Sequence, residues 1–152
     1  MVTSNDMLIG VRDPLGVRPL VMGKLGDAYI LASETCALDI VGASYVRDIE
    51  AGEIVIITSG SIRSLKPFAK TPKRFCIFEY VYFSRPDSIS EGHNVYEVRK
   101  RIGAWLARET KVDADVVVPV PDSGIPGAIG YAKEAGIPFE LGIIRNHYVG
   151  RT

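Results

Sequence analysis

The sequence predicts a mixed fold of the α/β class, α+β overall, built from two units. Three observations lead to this prediction. The first half shows closely spaced strand patterns with few helices, which is typical of a meander or a sandwich. The second half alternates helix and strand patterns, as the beginning of an α/β unit does. Between them, residues 66–74 hold two prolines and four basic residues without a regular period, which predicts a boundary.

Short apolar runs bounded by turn residues define the predicted strands of the first half. Pro14 and Gly16 predict a chain reversal after the first strand, and residues 24–27 predict a hairpin between the second and third strands. Residues 33–38 predict a short helix with Ser33 as its N-cap. The predicted strands cover residues 7–11, 20–23, 28–32, 45–49 and 54–58.

Helical periodicity is clearest in the second half. Val98, Ile102 and Leu106 recur at the spacing of a helix turn and predict a helix over 95–109. A β-branched apolar run over residues 115–120 then predicts a strand buried on both faces of a parallel sheet. The elements predicted after it are a turn over 121–127, a helix with Gly136 as its C-cap, and a strand over 138–144.

Composition excludes several classes of function. The chain has 152 residues, with 18 Lys and Arg against 18 Asp and Glu, so its formal net charge is zero. A general nucleic-acid binder is therefore excluded, although one basic stretch could still hold a single small phosphate ligand. No apolar run approaches a membrane span, the N-terminus lacks a signal-peptide pattern, and two cysteines form no disulfide framework. We expect a cytoplasmic protein without nucleic-acid or membrane partners.

Residues 119–124 are the strongest candidate site. They lie between a predicted buried strand and a helix, where α/β sheets bind their ligands. The N–H groups at a helix N-terminus attract phosphate, Ser123 adds a hydroxyl, and Gly124 lets the backbone approach a ligand closely. The alternative is that Asp122 and Ser123 only cap the helix, which is their commonest role.

Three other parts of the chain are considered as sites. Arg145 and Arg151, near the C-terminal end of the sequence, could close over an anionic substrate, or could belong to a solvated surface loop. Cys76 lies among aromatic residues and is most simply a buried small hydrophobe, because the chain shows no metal-ligand spacing. Arg12 and Asp13 could pair and brace a turn, which is a structural role.

Five segments with distinctive sequences follow one another along the chain. They are residues 12–20, 32–39, 78–88, 120–123 and 148–152. Together, in this order, they resemble the amidophosphoribosyltransferase family, also called glutamine phosphoribosylpyrophosphate amidotransferases. The resemblance covers essentially the whole chain, and five ordered motifs make it far more specific than any one of them.

The resemblance implies a two-domain enzyme of purine biosynthesis. A glutaminase domain of the N-terminal-nucleophile (Ntn) type releases ammonia from glutamine. A type I phosphoribosyltransferase domain uses the ammonia to displace pyrophosphate from phosphoribosyl pyrophosphate (PRPP). Residues 1–72 would be the last strands of the glutaminase sandwich, and residues 73–152 the start of the α/β phosphoribosyltransferase domain. PRPP, glutamine and purine nucleotide effectors are the implied partners, and the intact enzyme is expected to be a homo-oligomer.

The resemblance implies a role for several individual residues of this chain. Ser123 matches a magnesium–pyrophosphate position, and Asp122 and Gly124 flank it in the pyrophosphate loop. Arg145 and Arg151 would add charge to a loop that folds over PRPP or to a nucleotide effector site.

Two further positions differ among family members. Cys76 matches a ligand of a 4Fe–4S cluster that some members hold, and the other three ligands would lie beyond Thr152. His147 stands where the family usually has an arginine, so the charge at this position depends on pH.

The sequence also departs from what the family's chemistry requires. The chain begins with Met1 and has no Cys-Gly pair to supply the glutaminase nucleophile, and it has no adjacent acidic pair to hold ribose and metal. We therefore expect an internal fragment that lacks both catalytic centres and is inactive alone. Two alternatives stay open: a non-catalytic, nucleotide-binding phosphoribosyltransferase-like paralogue, and a truncated remnant that does not fold.

Overall fold

Strands dominate the first part of the chain and helices the second in the computed structural model, which describes residues 2–3, 6–146 and 148–150. The chain divides into two units. One runs up to Glu79 and includes Ser88–Gly92, and the other combines Tyr80–Asp87 with the residues from His93 onward. The predicted mixture of helix and strand is confirmed. The assignment of residues 1–72 and 73–152 to two family domains stays a prediction.

Two antiparallel sheets and a short helix form the first unit. The elements are β1 (Val2–Thr3), β2 (Leu8–Val11), β3 (Val21–Leu25), β4 (Ala28–Ala32), α1 (Thr35–Ile40), β5 (Ser44–Asp48), β6 (Ile54–Ile57), β7 (Ile62–Leu65) and β8 (Ile89–Ser90). One sheet has the strand order β1–β2–β6–β7 and the other the order β4–β3–β5. Every neighbouring pair in these two sheets is antiparallel.

Apolar side chains from both sheets meet in one core. Met22 and Leu31 come from the three-stranded sheet, Val55 and Ile57 from the four-stranded sheet, and Ile49 from the segment that joins them. Burying this apolar surface is the main favourable term in folding. The two sheets therefore pack against each other through this core.

The other face of the three-stranded sheet is covered by α1. Val21 of β3 packs with Leu38 of α1 and with Ala43. A Cβ atom at Gly23 would lie 2.6 Å from Leu38 Cδ2, so a larger residue in β3 would displace the Leu38 side chain. The first unit is thus layered as sheet, sheet and helix.

The strands predicted for this unit are confirmed, with ends shifted by at most two residues. The hairpin turn is tighter than predicted, since it comprises only Gly26 and Asp27, and Gly26 has a φ of +57°. The Ser33 cap is wrong, because Glu34 occupies the N-cap position and α1 begins at Thr35.

Long-range contacts explain where α1 begins. The hydroxyl of Ser88 donates to the carboxylate of Glu34 at 2.9 Å, and the backbone N–H of Ile89 donates to the hydroxyl of Thr35 at 2.8 Å. Partners more than 50 residues away therefore engage the start of the helix. Local sequence preferences do not contain this information.

Strands β1, β7 and the two-residue β8 were not predicted. β7 is exposed along its whole length and pairs with β6 at the edge of the sheet. An edge strand without a buried face lacks the alternation of apolar and polar residues on which strand prediction rests.

A buried arginine closes the turn after β2. Arg12 is only 4% exposed, donates to the carbonyl oxygen of Ile49 at 2.8 Å, and lies 2.7 Å from the carboxylate of Glu91. The predicted Arg12–Asp13 pair is not formed. Asp13 instead accepts hydrogen bonds from backbone N–H groups of the turn that follows it. The structural role predicted for both residues is confirmed.

The second unit is built around two helices. Its elements are β9 (His93–Asn94), α2 (Val95–Glu109) and α3 (Ile125–Ala135), preceded by a π-helical turn over Glu79–Phe83. Both predicted helices are confirmed. Gly136 ends α3 in the left-handed conformation, as predicted, with a φ of 70°. Among the described residues, no helix combines the length and the apolar character needed to cross a membrane.

The two strands predicted for the second unit are not formed, so this prediction is wrong. Residues 115–120 and 138–144 share only one parallel bridge, between Val117 and Phe139. Val120 is 71% exposed and Ile144 is 78% exposed. An apolar run becomes a buried strand only if neighbouring strands pair with it, and no further pairing strand occurs in the described part of this unit.

Glycines allow α2 and α3 to cross with their backbones in contact. A Cβ atom at Gly103 of α2 would overlap the carbonyl oxygen of Gly127, and one at Gly130 of α3 would overlap the carbonyl oxygen of Lys100. A Cβ atom at Gly127, by contrast, would meet only the carbonyl oxygen of Arg99 at 3.9 Å, an ordinary contact. The crossing fixes α3, and with it the loop that leads into α3.

Replacing Gly130 by alanine should destabilise the second unit, because the added methyl group overlaps the Lys100 carbonyl oxygen. Overpacking of this kind costs about 1–3 kcal/mol. The matched control is Gly127→Ala, which should keep the free energy of unfolding or raise it by about 0.5–1 kcal/mol, since alanine favours the helix. Urea unfolding followed by the fluorescence of Trp105 measures both. Equal stabilities would contradict the close crossing.

A buried carboxylate ties together several segments of the first unit. Glu53 is 1% exposed and accepts hydrogen bonds from the Arg47 guanidinium at 2.6 and 2.9 Å, from the Ser64 hydroxyl at 2.7 Å and from the Glu50 N–H at 2.8 Å. The bonds from Arg47 are the main reason that the pKa of Glu53 falls from 4.5 to about 2, although burial opposes the change.

The buried carboxylate of Glu53 should make the stability of the first unit sensitive to acid. Because its folded-state pKa is depressed, Glu53 stabilises the fold above its ordinary pKa of 4.5, and this contribution is lost as the pH falls toward about 2. Its size is on the order of 3 kcal/mol. Glu53→Gln should therefore be less stable at neutral pH and should lack this part of the acid dependence. Urea titrations across this pH range test it.

The matched control is Glu140→Gln, because Glu140 is exposed. This variant should follow the pH profile of the unmodified chain. Parallel profiles for Glu53→Gln and the unmodified chain would show that Glu53 does not provide the acid-sensitive stability.

Candidate phosphate-binding site

The loop before α3 brings two polar side chains and a glycine to a helix N-terminus. Gly124 is the N-cap residue, and no side chain forms a capping hydrogen bond there. The alternative in which Asp122 or Ser123 caps the helix is therefore wrong. Ser123 and Asp122 instead line an open cleft.

Glycine is required at the end of this loop. A Cβ atom at Gly124 would lie 2.6 Å from the carbonyl oxygen of Val120, so any other residue would force the turn open. The carbonyl oxygen of Gly124 accepts the N–H of Ala128 at 3.0 Å as the helix begins. The peptide bond between Pro121 and Asp122 is cis. The loop is thus a tight turn that ends directly on the first turn of α3.

The cleft beside the loop has a volume of about 500 Å³. Small-molecule sites in proteins have volumes of about 300–1,000 Å³. The loop contributes residues 120–123, the end of the π-helical turn and the segment after it contribute residues 82–86, and α2 contributes Arg99. All of these residues belong to the second unit.

Arg99 attaches the π-helical turn to α2. Its side chain is 3% exposed, and its guanidinium donates to the carbonyl oxygens of Tyr80 and Ser84, the latter at 2.8 Å. A buried guanidinium with carbonyl partners is costly to replace, because its partners would be left without hydrogen bonds. Arg99 therefore fixes the segment that faces the phosphate loop across the cleft.

Arg99 and residues 82–86 were not among the residues predicted for the site. One signal in the sequence could have identified Arg99. Val95, Arg99 and Gly103 are four residues apart, so they lie on one face of α2, and all three are buried. An arginine on the buried face of a helix indicates a specific polar partner.

Arg145 contacts the loop through Asp122. Its Nη1 atom lies 3.2 Å from Asp122 Oδ2, and both side chains are largely exposed. Such a pair contributes about 1 kcal/mol at most, so a ligand phosphate could replace the Asp122 carboxylate as the partner of Arg145. The structure thus brings Arg145 to the predicted loop, whereas Arg151 and His147 lie outside the described residues.

The donors at the loop fit Mg²⁺ only together with a phosphate ligand. Mg²⁺ takes oxygen ligands, usually one or two carboxylates with substrate phosphates and water. Ser123 supplies a hydroxyl and Asp122 a carboxylate. Within the described ranges, no group of three or more His, Cys, Asp or Glu residues could hold a metal ion. The magnesium role of Ser123 stays a prediction.

The cysteines of this chain are too few to hold a 4Fe–4S cluster by themselves. Such a cluster is held by four cysteine thiolates, and the sequence has two cysteines. Cys36 is buried in α1, and its thiol lies 3.7 Å from the carboxylate of Glu34. Cys76 is half-buried, and its N–H donates to the carbonyl oxygen of Val17. The role of Cys76 as one ligand stays a prediction.

Proteins named amidophosphoribosyltransferase are similar to this chain along its whole length. The identity is 61% to the protein from Rhizobium etli and 51% to that from Bacillus subtilis, and each match covers 100% of this chain and 32% of the relative. The identity to the Archaeoglobus fulgidus protein is 51%, over 97% of this chain and 32% of that protein. The chain thus spans about a third of the curated relatives it matches. No protein-family model matches it.

Solved structures share the fold of nearly the whole chain. One is glutamine phosphoribosylpyrophosphate amidotransferase from Bacillus subtilis complexed with ADP and GMP, with a TM-score of 0.93 and 51% identity over 98% of this chain and 33% of that one. Another is described as the allosteric regulatory enzyme of purine biosynthesis, with a TM-score of 0.92 and 52% identity over 99% of this chain and 32% of that one. The resemblance carried by the five segments is confirmed.

Proposed function

We propose that this chain is one part of an amidophosphoribosyltransferase. The whole enzyme makes 5-phosphoribosylamine, pyrophosphate and glutamate from PRPP, glutamine and water, at the first step of de novo purine synthesis. The observation that carries the proposal is the similarity over the whole chain, at 51% identity and a TM-score of 0.93 to the Bacillus subtilis amidotransferase. The catalytic centres would lie outside this segment.

The architecture of each unit supports its assignment to one of the two family domains. Two face-to-face antiparallel sheets with a helix on one side suit the last strands of an Ntn glutaminase. The parallel bridge between Val117 and Phe139, with α3 between the two bridged residues in sequence, suits the start of a type I phosphoribosyltransferase domain. We place the boundary near residues 72–73.

The chemistry of the transferase step explains the loop. The ammonia nitrogen bonds to C1 of the ribose while the bond from C1 to pyrophosphate breaks, and pyrophosphate leaves with the electron pair. Because charge develops on the leaving group, the protein's task is positioning and electrostatic stabilisation. Ser123 and the N–H groups at the start of α3 hold the pyrophosphate, and Asp122 and Gly124 shape the loop. Arg145 and Arg151 add positive charge, and Mg²⁺ would neutralise the pyrophosphate.

Regulation and location belong to the same proposal. Glutamine is the ammonia source, and purine nucleotides are the effectors. The nucleotide part is supported by the ADP and GMP bound to the Bacillus subtilis relative. We propose a cytoplasmic homo-oligomer for the whole enzyme.

A chimera tests the function directly. Replacing the matching segment of the Bacillus subtilis enzyme with this chain should give an enzyme that releases pyrophosphate from PRPP with glutamine as nitrogen donor. In the chimera, Ser123→Ala should lower kcat/KM for PRPP about 10–100-fold, because a hydrogen bond to a charged group is lost. Pyrophosphate release under subsaturating PRPP measures the effect.

The matched control is Ser59→Ala, since Ser59 lies in an exposed turn of the first unit and should not affect kcat/KM. A folded chimera that binds purine nucleotides but releases no pyrophosphate would favour the non-catalytic paralogue and contradict the proposal. An active chimera that is unaffected by Ser123→Ala would support the enzyme but exclude Ser123 from the site.

A further inference from the structure

A short segment of the first unit interrupts the chain of the second. Residues 88–92, named the tether below, belong to the first unit, whereas the residues on both sides of them belong to the second. The flanks are held together, because the N–H of Tyr96 donates to the carbonyl oxygen of Pro86 at 2.9 Å. We propose that Glu91 is a positioning residue, which fixes the tether to the first unit and keeps the two half-reactions coupled. The catalytic part of this proposal rests on the proposed function.

The backbone of Glu91 has a conformation that glutamate rarely adopts. Its φ is +46°, and Gly92 follows with a φ of +80°. Turns with a positive φ at two successive residues favour Asn, Asp or Gly at the first of them. A larger residue persists there only where its surroundings hold it, and such residues cluster at functional sites. The side-chain contacts of Glu91 therefore offset an unfavourable backbone.

The carboxylate of Glu91 joins two cations of the first unit. One oxygen lies 2.7 Å from Arg12 Nη2, and the other lies 3.0 Å from Lys73 Nζ. Burial alone would raise the pKa of Glu91, but the hydrogen bonds from Arg12 and Lys73 lower it overall, so the carboxylate is ionised at neutral pH. The buried Arg12 guanidinium also donates to the carbonyl oxygens of Arg18 and Ile49, at 3.0 and 2.8 Å. Because the fold holds this guanidinium in place, it fixes the position of Glu91.

The other end of the tether is attached at the start of α1. The Ser88 hydroxyl donates to the Glu34 carboxylate at 2.9 Å, and the N–H of Ile89 donates to the Thr35 hydroxyl at 2.8 Å. Side chains from three separate parts of the first unit, namely the turn after β2, the segment after β7 and the start of α1, therefore hold a tether of five residues. So many long-range contacts on so short a segment indicate a fixed attachment.

Glu91 is the attachment nearest to the helix that supports the phosphate site. Helix α2 begins at Val95, four residues after Glu91, and carries Arg99, which holds one side of the candidate cleft. In the proposed enzyme, ammonia released in the glutaminase domain has to reach PRPP in the transferase domain before it escapes to water. A tether that is fixed to one unit and continuous with α2 of the other restrains both during this transfer. Glu91 therefore acts on the use of ammonia and not on either reaction by itself.

The product ratio of the chimera tests this role. The unmodified chimera should form about one glutamate per pyrophosphate, and Glu91→Asn should raise this ratio at least about threefold, because ammonia escapes. Asparagine suits the left-handed backbone better than glutamate does, but it cannot pair with the two cations. With saturating ammonium chloride as nitrogen donor, pyrophosphate release should stay within about twofold of the unmodified rate. Equal losses of pyrophosphate release with the two nitrogen donors would show a merely structural role and overturn the proposal.

Lys73→Gln is the second variant, because Lys73 is largely exposed and its loss should not unfold the chain. It should raise the ratio by less than Glu91→Asn does, and it should add nothing to Glu91→Asn, since both changes break one contact. The matched control is Glu97→Gln, which breaks an exposed pair with Lys100 inside α2, 3.1 Å long. This control should leave the ratio unchanged. Equal ratios for Glu91→Asn and Glu97→Gln would overturn the proposal.

Hydrogen exchange of the chain by itself tests the attachment without any activity. In Glu91→Asn, the N–H of Ile89 should exchange at least about tenfold faster, while the N–H groups of β6, in the core of the first unit, should keep their rates. Unchanged exchange at Ile89 would overturn the proposal and leave the proposed function standing. If the unmodified chimera released no pyrophosphate, the proposed function would fail, whereas faster exchange at Ile89 would still support the attachment by Glu91.

Discussion

The close crossing of α2 and α3, which glycine at positions 103 and 130 permits, is the constraint on which the candidate phosphate site depends. A side chain at either position would overlap a backbone carbonyl oxygen of the other helix. Since α3 begins directly after the loop, the position of its first turn sets the position of Ser123. Arg99, on the same helix as Gly103, holds the segment on the facing side of the cleft. Both parts of the site therefore take their place from α2.

The first unit relies on a different kind of constraint. Its apolar core packs the two sheets together, but two buried charged groups hold the segments that connect the strands. Arg12 binds carbonyl oxygens and Glu91, and Glu53 binds Arg47 and Ser64. Each charged group has several partners, which is the condition under which burying a charge is tolerated.

How much could be predicted from the sequence depended on whether the signal was local. The α2 helix was predicted with its observed ends because Val98, Ile102 and Leu106 follow the helical period, and Gly136 marks the end of α3. The strand predicted over residues 115–120 is not formed. An apolar run indicates that a segment is to be buried, but it does not show which strands will pair with it. The start of α1 depends on contacts with residues 88 and 89.

The same division applies to the site. The loop 121–124 was recognisable because a turn rich in Pro and Gly before a helix is a local pattern. Arg145 was a candidate from composition, and its contact with Asp122 needed the fold. Arg99 was missed because its partners are two carbonyl oxygens 19 and 15 residues away.

The measurement that tests the central claim most directly is the affinity of the chain for magnesium pyrophosphate when the helix crossing is altered. Calorimetric titrations of Gly130→Ala and Gly127→Ala would be compared at a temperature where the fluorescence of Trp105 shows both to be folded. If the crossing positions the loop, Gly127→Ala binds like the unmodified chain, and Gly130→Ala binds at least about tenfold more weakly. Equal affinities for the two variants would contradict the claim that the contact between the helices sets the phosphate site.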